Sequence, residues 1–144
     1  MIVDSSALVA IAFREPRHER LVECIQAATS VGIGAPTAVE AGIVLGRRLG
    51  FTTPWMLHRI LQEGKIAVIP FSARHWSVAV SAYERFGRGR HPAGLNFGYA
   101  LSDATAKIAG RPLLCVGADF AQTDLSLVSI ESDSHDQPAD TAGS

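Results

Sequence analysis

The sequence predicts an α/β fold: a three-layer α/β/α domain around a central twisted parallel sheet. Three observations predict it. Short apolar runs recur at Ile2-Val3, around Ile33, at Ile66–Ile69 and at Leu113–Val116. Between them lie longer segments with apolar residues at helical spacing, such as Leu21, Val22, Ile25 and Ala28. Strands that alternate with helices in this way pair in parallel and are covered on both faces. Finally, three of the runs are followed closely by an acid, Asp4, Glu40 or Asp119. The carboxyl ends of parallel strands are where open sheets form their binding crevice.

Taken in order, the opening strand ends at Asp4, and Ser5 or Ser6 is placed to cap a short helix from Ala7 to Phe13, broken at Glu15-Pro16. Arg17 to Thr29 is helical by its spacing. A second strand centres on Ile33 between Gly32 and Gly34. Pro36-Thr37 starts a helix through Leu49, ended by Gly50, and Thr52 to Glu63 forms the next, with Gly64 in the stop position. The third strand closes at Pro70. Ser72 caps a helix to Phe86, a basic glycine-rich loop runs from Gly87 to Gly94, and Asn96 opens a helix to Ile108 that Gly110 ends. After the fourth strand, Asp119 to Gln122 forms a turn and Leu125 to Ile130 a short edge strand.

Composition narrows the function. A chain of 144 residues, 47% apolar, supports one domain with a genuine core. No apolar run approaches the roughly 20 residues that cross a bilayer, so no membrane partner is expected. The opening shows no basic segment or signal pattern, and Cys24 and Cys115 lie in apolar patterns without metal-type spacing; a cytoplasmic setting with reduced thiols is expected. Net charge is −1, but residues 131–144 carry Glu131, Asp133, Asp136 and Asp140 with no Lys or Arg, leaving +3 on the first 130 residues. The expected organisation is one domain over 1–130 and an acidic disordered tail over 131–144.

Each acid has a local explanation. Asp4 fits a turn or cap, Thr37 with Glu40 fits a capping box, and Asp119 fits the cap of the following turn. These readings do not exclude a shared one, since all three acids also stand just after a predicted parallel strand. Three carboxylates at one rim repel one another unless a cation joins them. Oxygen-only ligation favours Mg²⁺, or Mn²⁺, over zinc. The five histidines are scattered.

The motifs Ile2-Val3-Asp4-Ser5-Ser6-Ala7-Leu8-Val9-Ala10, Ala35-Pro36-Thr37-Ala38-Val39-Glu40-Ala41, Phe86-Gly87-Arg88-Gly89-Arg90-His91-Pro92-Ala93-Gly94-Leu95-Asn96-Phe97-Gly98 and Gly117-Ala118-Asp119-Phe120 occur collinearly over residues 1–128. In this they resemble the VapC-type toxins of the PIN-domain ribonucleases. The resemblance implies a PIN-like fold and a Mg²⁺-dependent endoribonuclease that leaves a 5′-phosphate and a 3′-hydroxyl. It also implies a homodimer held inactive by a cognate antitoxin. Asp4, Glu40 and Asp119 are then the metal ligands and catalytic acids, with Ser6 hydrogen-bonding a carboxylate or a metal-bound water.

The chain departs from that family at one point. Where relatives read Asn-Phe-Gly-Asp, it has Tyr99, and where they tend to carry Tyr or another large residue it has Asp103. Asp103 is a candidate replacement ligand on the same helical face, but one turn is ~5.4 Å of rise against a Mg²⁺–oxygen distance of roughly 2.1 Å. An ion pair with Lys107, at i,i+4, competes for it. A catalytically weakened or silent module that binds RNA or antitoxin without cleavage is therefore the alternative function. A DNA-cutting nuclease is a further variant, whereas a phospho-acceptor receiver lacks the acid it needs after Ile69.

Arg85, Arg88, Arg90 and His91 are the candidate RNA-phosphate contacts, weighed against a merely solvated loop. The helices 38–49 and 52–61, rich in Leu, Ile and Met, are candidates for core, dimer face or antitoxin groove.

Overall fold

The computed structural model describes residues 1–51 and 55–130. Four strands, β1 (Ile2–Val3), β2 (Val31–Gly34), β3 (Ile66–Ile69) and β4 (Leu113–Leu114), form one parallel sheet in the order β3-β2-β1-β4. Six helices connect them: α1 (Ser5–Ala12), α2 (His18–Ala27), α3 (Ala35–Leu49), α4 (Trp55–Glu63), α5 (Ala73–Phe86) and α6 (Phe97–Ala109). The α/β architecture is the predicted one.

The strand order positions the site. From β1 the chain steps outward to β2 and β3, then returns through α5 and α6 to the other side of β1. The direction of winding therefore reverses between β1 and β4, and such a reversal opens a crevice at the strands' carboxyl ends. Ile2 lies opposite both Gly32 and Leu113, and the Asp4 amide continues the ladder by donating to the Leu114 carbonyl at 2.9 Å. Asp4 thus leaves the sheet at the reversal.

The pleat sends alternate side chains to opposite layers. Val3 and Leu114 face a core built with Leu8, Leu21, Ile25 and Ile33; Ile2 and Leu113 face the other, with Ala106, Cys115 and Phe120. Gly34 allows α6 to approach: a Cβ there would lie 2.7 Å from Thr105 Oγ1. Gly110 ends α6 at φ 61°, a left-handed conformation glycine adopts without strain.

Several local expectations change. Asp4 itself caps α1, accepting from the Ser6 amide, so Ser5 and Ser6 lie inside the helix. The Thr37–Glu40 capping box does not form, because Gly34 is the cap of α3 and both side chains turn to tertiary partners. Ser72 does cap α5, its amide donating to His75 Nδ1. Residues 125–130 make only an isolated bridge, Leu113 with Leu127. Coverage of the sheet is incomplete at its edge, where Ala67 and Val68 of β3 are exposed. Residues 52–54 and the acidic tail lie outside the described residues.

Candidate active site

Asp4 is fully buried. Its Oδ2 accepts from the Ser6 amide at 3.0 Å and the Ser6 hydroxyl at 2.6 Å, and its Oδ1 accepts from the Ser102 hydroxyl at 2.6 Å. Ser6 Oγ in turn accepts from the Val116 amide at 3.1 Å, and Thr37 Oγ1 lies 3.2 Å from Ser102 Oγ. Elements from β1, α1, α3, α6 and the end of β4 therefore converge on one carboxylate. Burying a charge is costly unless donors meet it, and three donors meet this one.

Glu40 sits in the second turn of α3, beside the rim, where Oε2 accepts from the Ser5 hydroxyl at 2.9 Å. Adjacent serines of α1 thus serve different acids, Ser5 serving Glu40 and Ser6 serving Asp4. The α6 backbone closes over Glu40 at Gly98, where a Cβ would lie 2.7 Å from Oε1. Gly98→Ala is therefore expected to push the Glu40 carboxylate off Ser5, at the cost of that hydrogen bond, about 1 kcal/mol. Chemical denaturation with unchanged m-value measures it.

Asp119 follows β4, and its Oδ2 accepts from the Tyr99 hydroxyl at 2.8 Å. Tyr99 is held on three sides. Its amide donates to the Asn96 cap, its ring packs edge-on against Phe120 at 5.0 Å between centroids, and its hydroxyl holds Asp119. Burial, the bond to Asp119 and the charges of Asp119, Asp4 and Glu40 all push the Tyr99 phenol well above its ordinary range. The field of all three acids therefore reaches one hydroxyl. Burial, with the charges of Asp4 and Asp119, likewise pushes the Cys115 thiol up to about 12, so it stays protonated and unreactive.

Asp103 does not join this group. It is fully buried, but its Oδ2 pairs with Lys107 Nζ at 3.0 Å, and Lys107 Nζ also reaches Asp124 Oδ1 at 2.8 Å. Arg85 Nη1 completes the ladder on Asp124 Oδ2 at 2.9 Å. The reason is helical geometry: Lys107 lies one turn along the same face, near enough to claim the carboxylate. The expectation that Asp103 is a metal ligand or catalytic acid is corrected accordingly.

The same ladder removes Arg85 from the free basic set, its guanidinium resting over the Phe86 ring at 4.7 Å. His91 pins the loop rather than reaching outward: Nδ1 accepts from the Ala93 amide at 3.1 Å, and the ring stands edge-on to Phe86 at 5.1 Å. Arg88 and Arg90 are exposed and make no ion pair among the described residues. If these two contact RNA phosphates, Arg88→Ala with Arg90→Ala should lower the slope of log affinity against log salt by about 1.4, from roughly 0.7 per contact on a single strand. An unchanged slope in a filter-binding titration would remove that role.

The donor chemistry suits a hard cation, but the arrangement does not. Mg²⁺ demands near-octahedral oxygens and keeps several waters. Asp4 is sealed from solvent with three donors already on it, and Asp119 holds a phenol. Among the described residues no group of three or more His, Cys, Asp or Glu is disposed to hold a metal. As placed, these side chains do not fit the ion.

The parallel sheet, the reversal at β1 and the acids at its rim define a doubly wound α/β domain with an acidic crevice. The PIN domain model matches residues 1–125. Ribonuclease VapC36 of Mycobacterium tuberculosis is 44% identical over 126 residues, 87% of this chain and 91% of that one. Two solved structures share the fold. One is Mycobacterium tuberculosis VapC20, described as a sarcin-ricin loop cleaving toxin (TM-score 0.69, 21% identity, 88% of this chain and 97% of that one). The other is a toxin–antitoxin complex from Klebsiella pneumoniae (TM-score 0.65, 17% identity, 90% and 97%). The chain belongs to the PIN-domain family, among the VapC ribonucleases.

Proposed function

We propose that this chain is the toxin component of a toxin–antitoxin pair and an endoribonuclease hydrolysing RNA phosphodiester bonds. The observation that carries it is that Asp4, Glu40 and Asp119 stand at the carboxyl-end rim where the sheet reverses, Asp4 and Glu40 held by adjacent serines of α1. The name of the VapC36 relative supports the activity. In this reading Arg88 and Arg90 hold the phosphates of the strand beside the rim, and the more accessible Glu40 and Asp119 carboxylates orient the attacking water against the phosphorus. The P–O3′ bond then breaks to leave a 5′-phosphate, and the 3′ oxygen leaves as a hydroxyl with the proton the water gives up. The Mg²⁺ expected from the family resemblance has no step here, because the carboxylates as placed are engaged by hydroxyl donors.

The proposed partners are an antitoxin, which the complex from Klebsiella pneumoniae supports by analogy, and a second copy of the chain. Exposed apolar side chains lie on the expected helix pair, with Val39 and Ile43 on α3 and Trp55 on α4, and extend to α5 and α6 at Val80, Tyr83 and Phe97. A groove of about 660 Å³ runs beside Glu40 between Pro36, Ile43, Phe71 and Phe97.

One observation favours a second reading. The Tyr99–Asp119 bond occupies an acid that hydrolysis needs, which suits a module that binds RNA or antitoxin without cutting. Incubation of the purified chain with small structured RNAs across a Mg²⁺ and Mn²⁺ titration separates the two. Cleavage that disappears in Glu40→Gln supports the ribonuclease. Retained binding without cleavage at every metal concentration supports the silent module.

A further inference from the structure

The acids of this rim are satisfied without a cation. Each carboxylate has its own hydroxyl: Ser5 on Glu40, Ser6 and Ser102 on Asp4, and Tyr99 on Asp119. Like charges at one rim repel, most where water is excluded, as at the buried Asp4. Hydroxyl donors offset the repulsion by stabilising each anion separately.

We propose that the Tyr99 phenol, together with the Ser5, Ser6 and Ser102 hydroxyls, takes the place of a divalent ion at this rim, so that metal enters only by displacing the Tyr99–Asp119 hydrogen bond. The inference deepens the proposed ribonuclease and rests on its grouping of the same acids.

Tyr99 is the controlling member for a geometric reason. The Ser5 and Ser6 hydroxyls are on α1 beside the acids they serve, and Ser102 is buried beneath. Tyr99 stands at the start of α6, partly exposed, with the Asn96 cap fixing its backbone and Phe120 fixing its ring. Its hydroxyl is also the group that feels Asp4, Glu40 and Asp119 together. An ion that took Asp119 Oδ2 as a ligand would have to displace the phenol from it.

The test uses the full chain without RNA, with MnCl₂ and MgCl₂ as probes, by titration calorimetry and by thermal unfolding. Wild type is compared with Tyr99→Phe and Tyr99→Asp. Tyr99→Phe, which removes only the hydroxyl, should melt lower than wild type without metal and gain more in melting temperature when Mn²⁺ is added. Tyr99→Asp should bind Mn²⁺ at least about tenfold more tightly than wild type. At concentrations that saturate wild type, tyrosine ultraviolet difference absorption should change as the phenol leaves Asp119.

Equal Mn²⁺ affinity in all three proteins would overturn the proposal. So would saturation of wild type with no change in tyrosine absorption. If Tyr99→Asp does not fold, the comparison of wild type with Tyr99→Phe decides alone. RNA takes no part in these measurements, so loss of the proposed cleavage and failure of the metal–phenol competition are read separately.

Discussion

Asp4→Ala is expected to destabilise the domain by about 3 kcal/mol, a large part of the 5–15 kcal/mol typical of a folded domain. The alanine leaves the Ser6 amide, the Ser6 hydroxyl and the Ser102 hydroxyl without their acceptor in a site closed to water. Hydrogen bonds to a charged group contribute about 1.5–3 kcal/mol each, and a buried orphan donor costs about 1–3. Relief of repulsion from Glu40 and Asp119 offsets part of that sum. Loss of the α1 cap adds to it. At this chain length the melting temperature should fall by about 10 °C. Asp4→Asn should cost less, because the Ser102 hydroxyl can rotate to accept from the new amide. A wild-type melting temperature in Asp4→Ala would show that the hydroxyl cage contributes nothing.

Lys107→Ala should cost about 3 kcal/mol at neutral pH, with a deficit that shrinks in acid. Lys107 holds the buried Asp103 carboxylate, and removing one partner of a buried pair costs about 3–5 kcal/mol because the other charge is left uncompensated. Among the described residues Asp103 Oδ1 has no hydrogen-bond partner. Burial raises the Asp103 pKa even with Lys107 beside it. A raised carboxyl pKa means the folded state binds the proton more tightly than the unfolded chain. Asp103 therefore contributes stability that grows as pH falls through its folded pKa and is lost as pH rises. In the alanine variant that pKa rises further, and a protonated Asp103 needs no cation. Asp124 acts in the opposite sense: the bond from Lys107, with Arg85, lowers its pKa, and its contribution fades as pH falls. Urea denaturation of wild type and variant across mildly acid to neutral pH measures both. A deficit independent of pH would show that Asp103 does not carry the effect.

The arrangement of strands and helices was readable because its signals are local. Apolar runs of strand length, an Asn96 cap and a terminal Gly110 act within a few residues, and β3 and α6 lie within a residue or so of where the pattern put them. The residues of the fourth run beyond Leu114 were not distinguishable, since Cys115 and Val116 are as apolar as the paired residues but lack a pairing neighbour. Thr37 and Glu40 misled for a related reason. Their spacing satisfies a capping box, yet Ser102 and Ser5, distant in sequence, offered better partners.

Ser5 and Ser102 were missed as members of the site. Ser102 carries no motif that marks it out within α6, and only the packing of α6 across the sheet brings it to Asp4. The substitution at Tyr99 was visible as a departure from a motif. Its consequence, a phenol donating to Asp119, required the third dimension.

Residue order by itself determined which segments become strands and helices, and that acids stand at strand ends, because backbone preference and apolar period are short-range properties. Only the tertiary structure decided which donor each acid receives: Ser102 for Asp4, Ser5 for Glu40, Tyr99 for Asp119 and Lys107 for Asp103. Several polar groups compete for each buried carboxylate, and packed helices leave room for one solution.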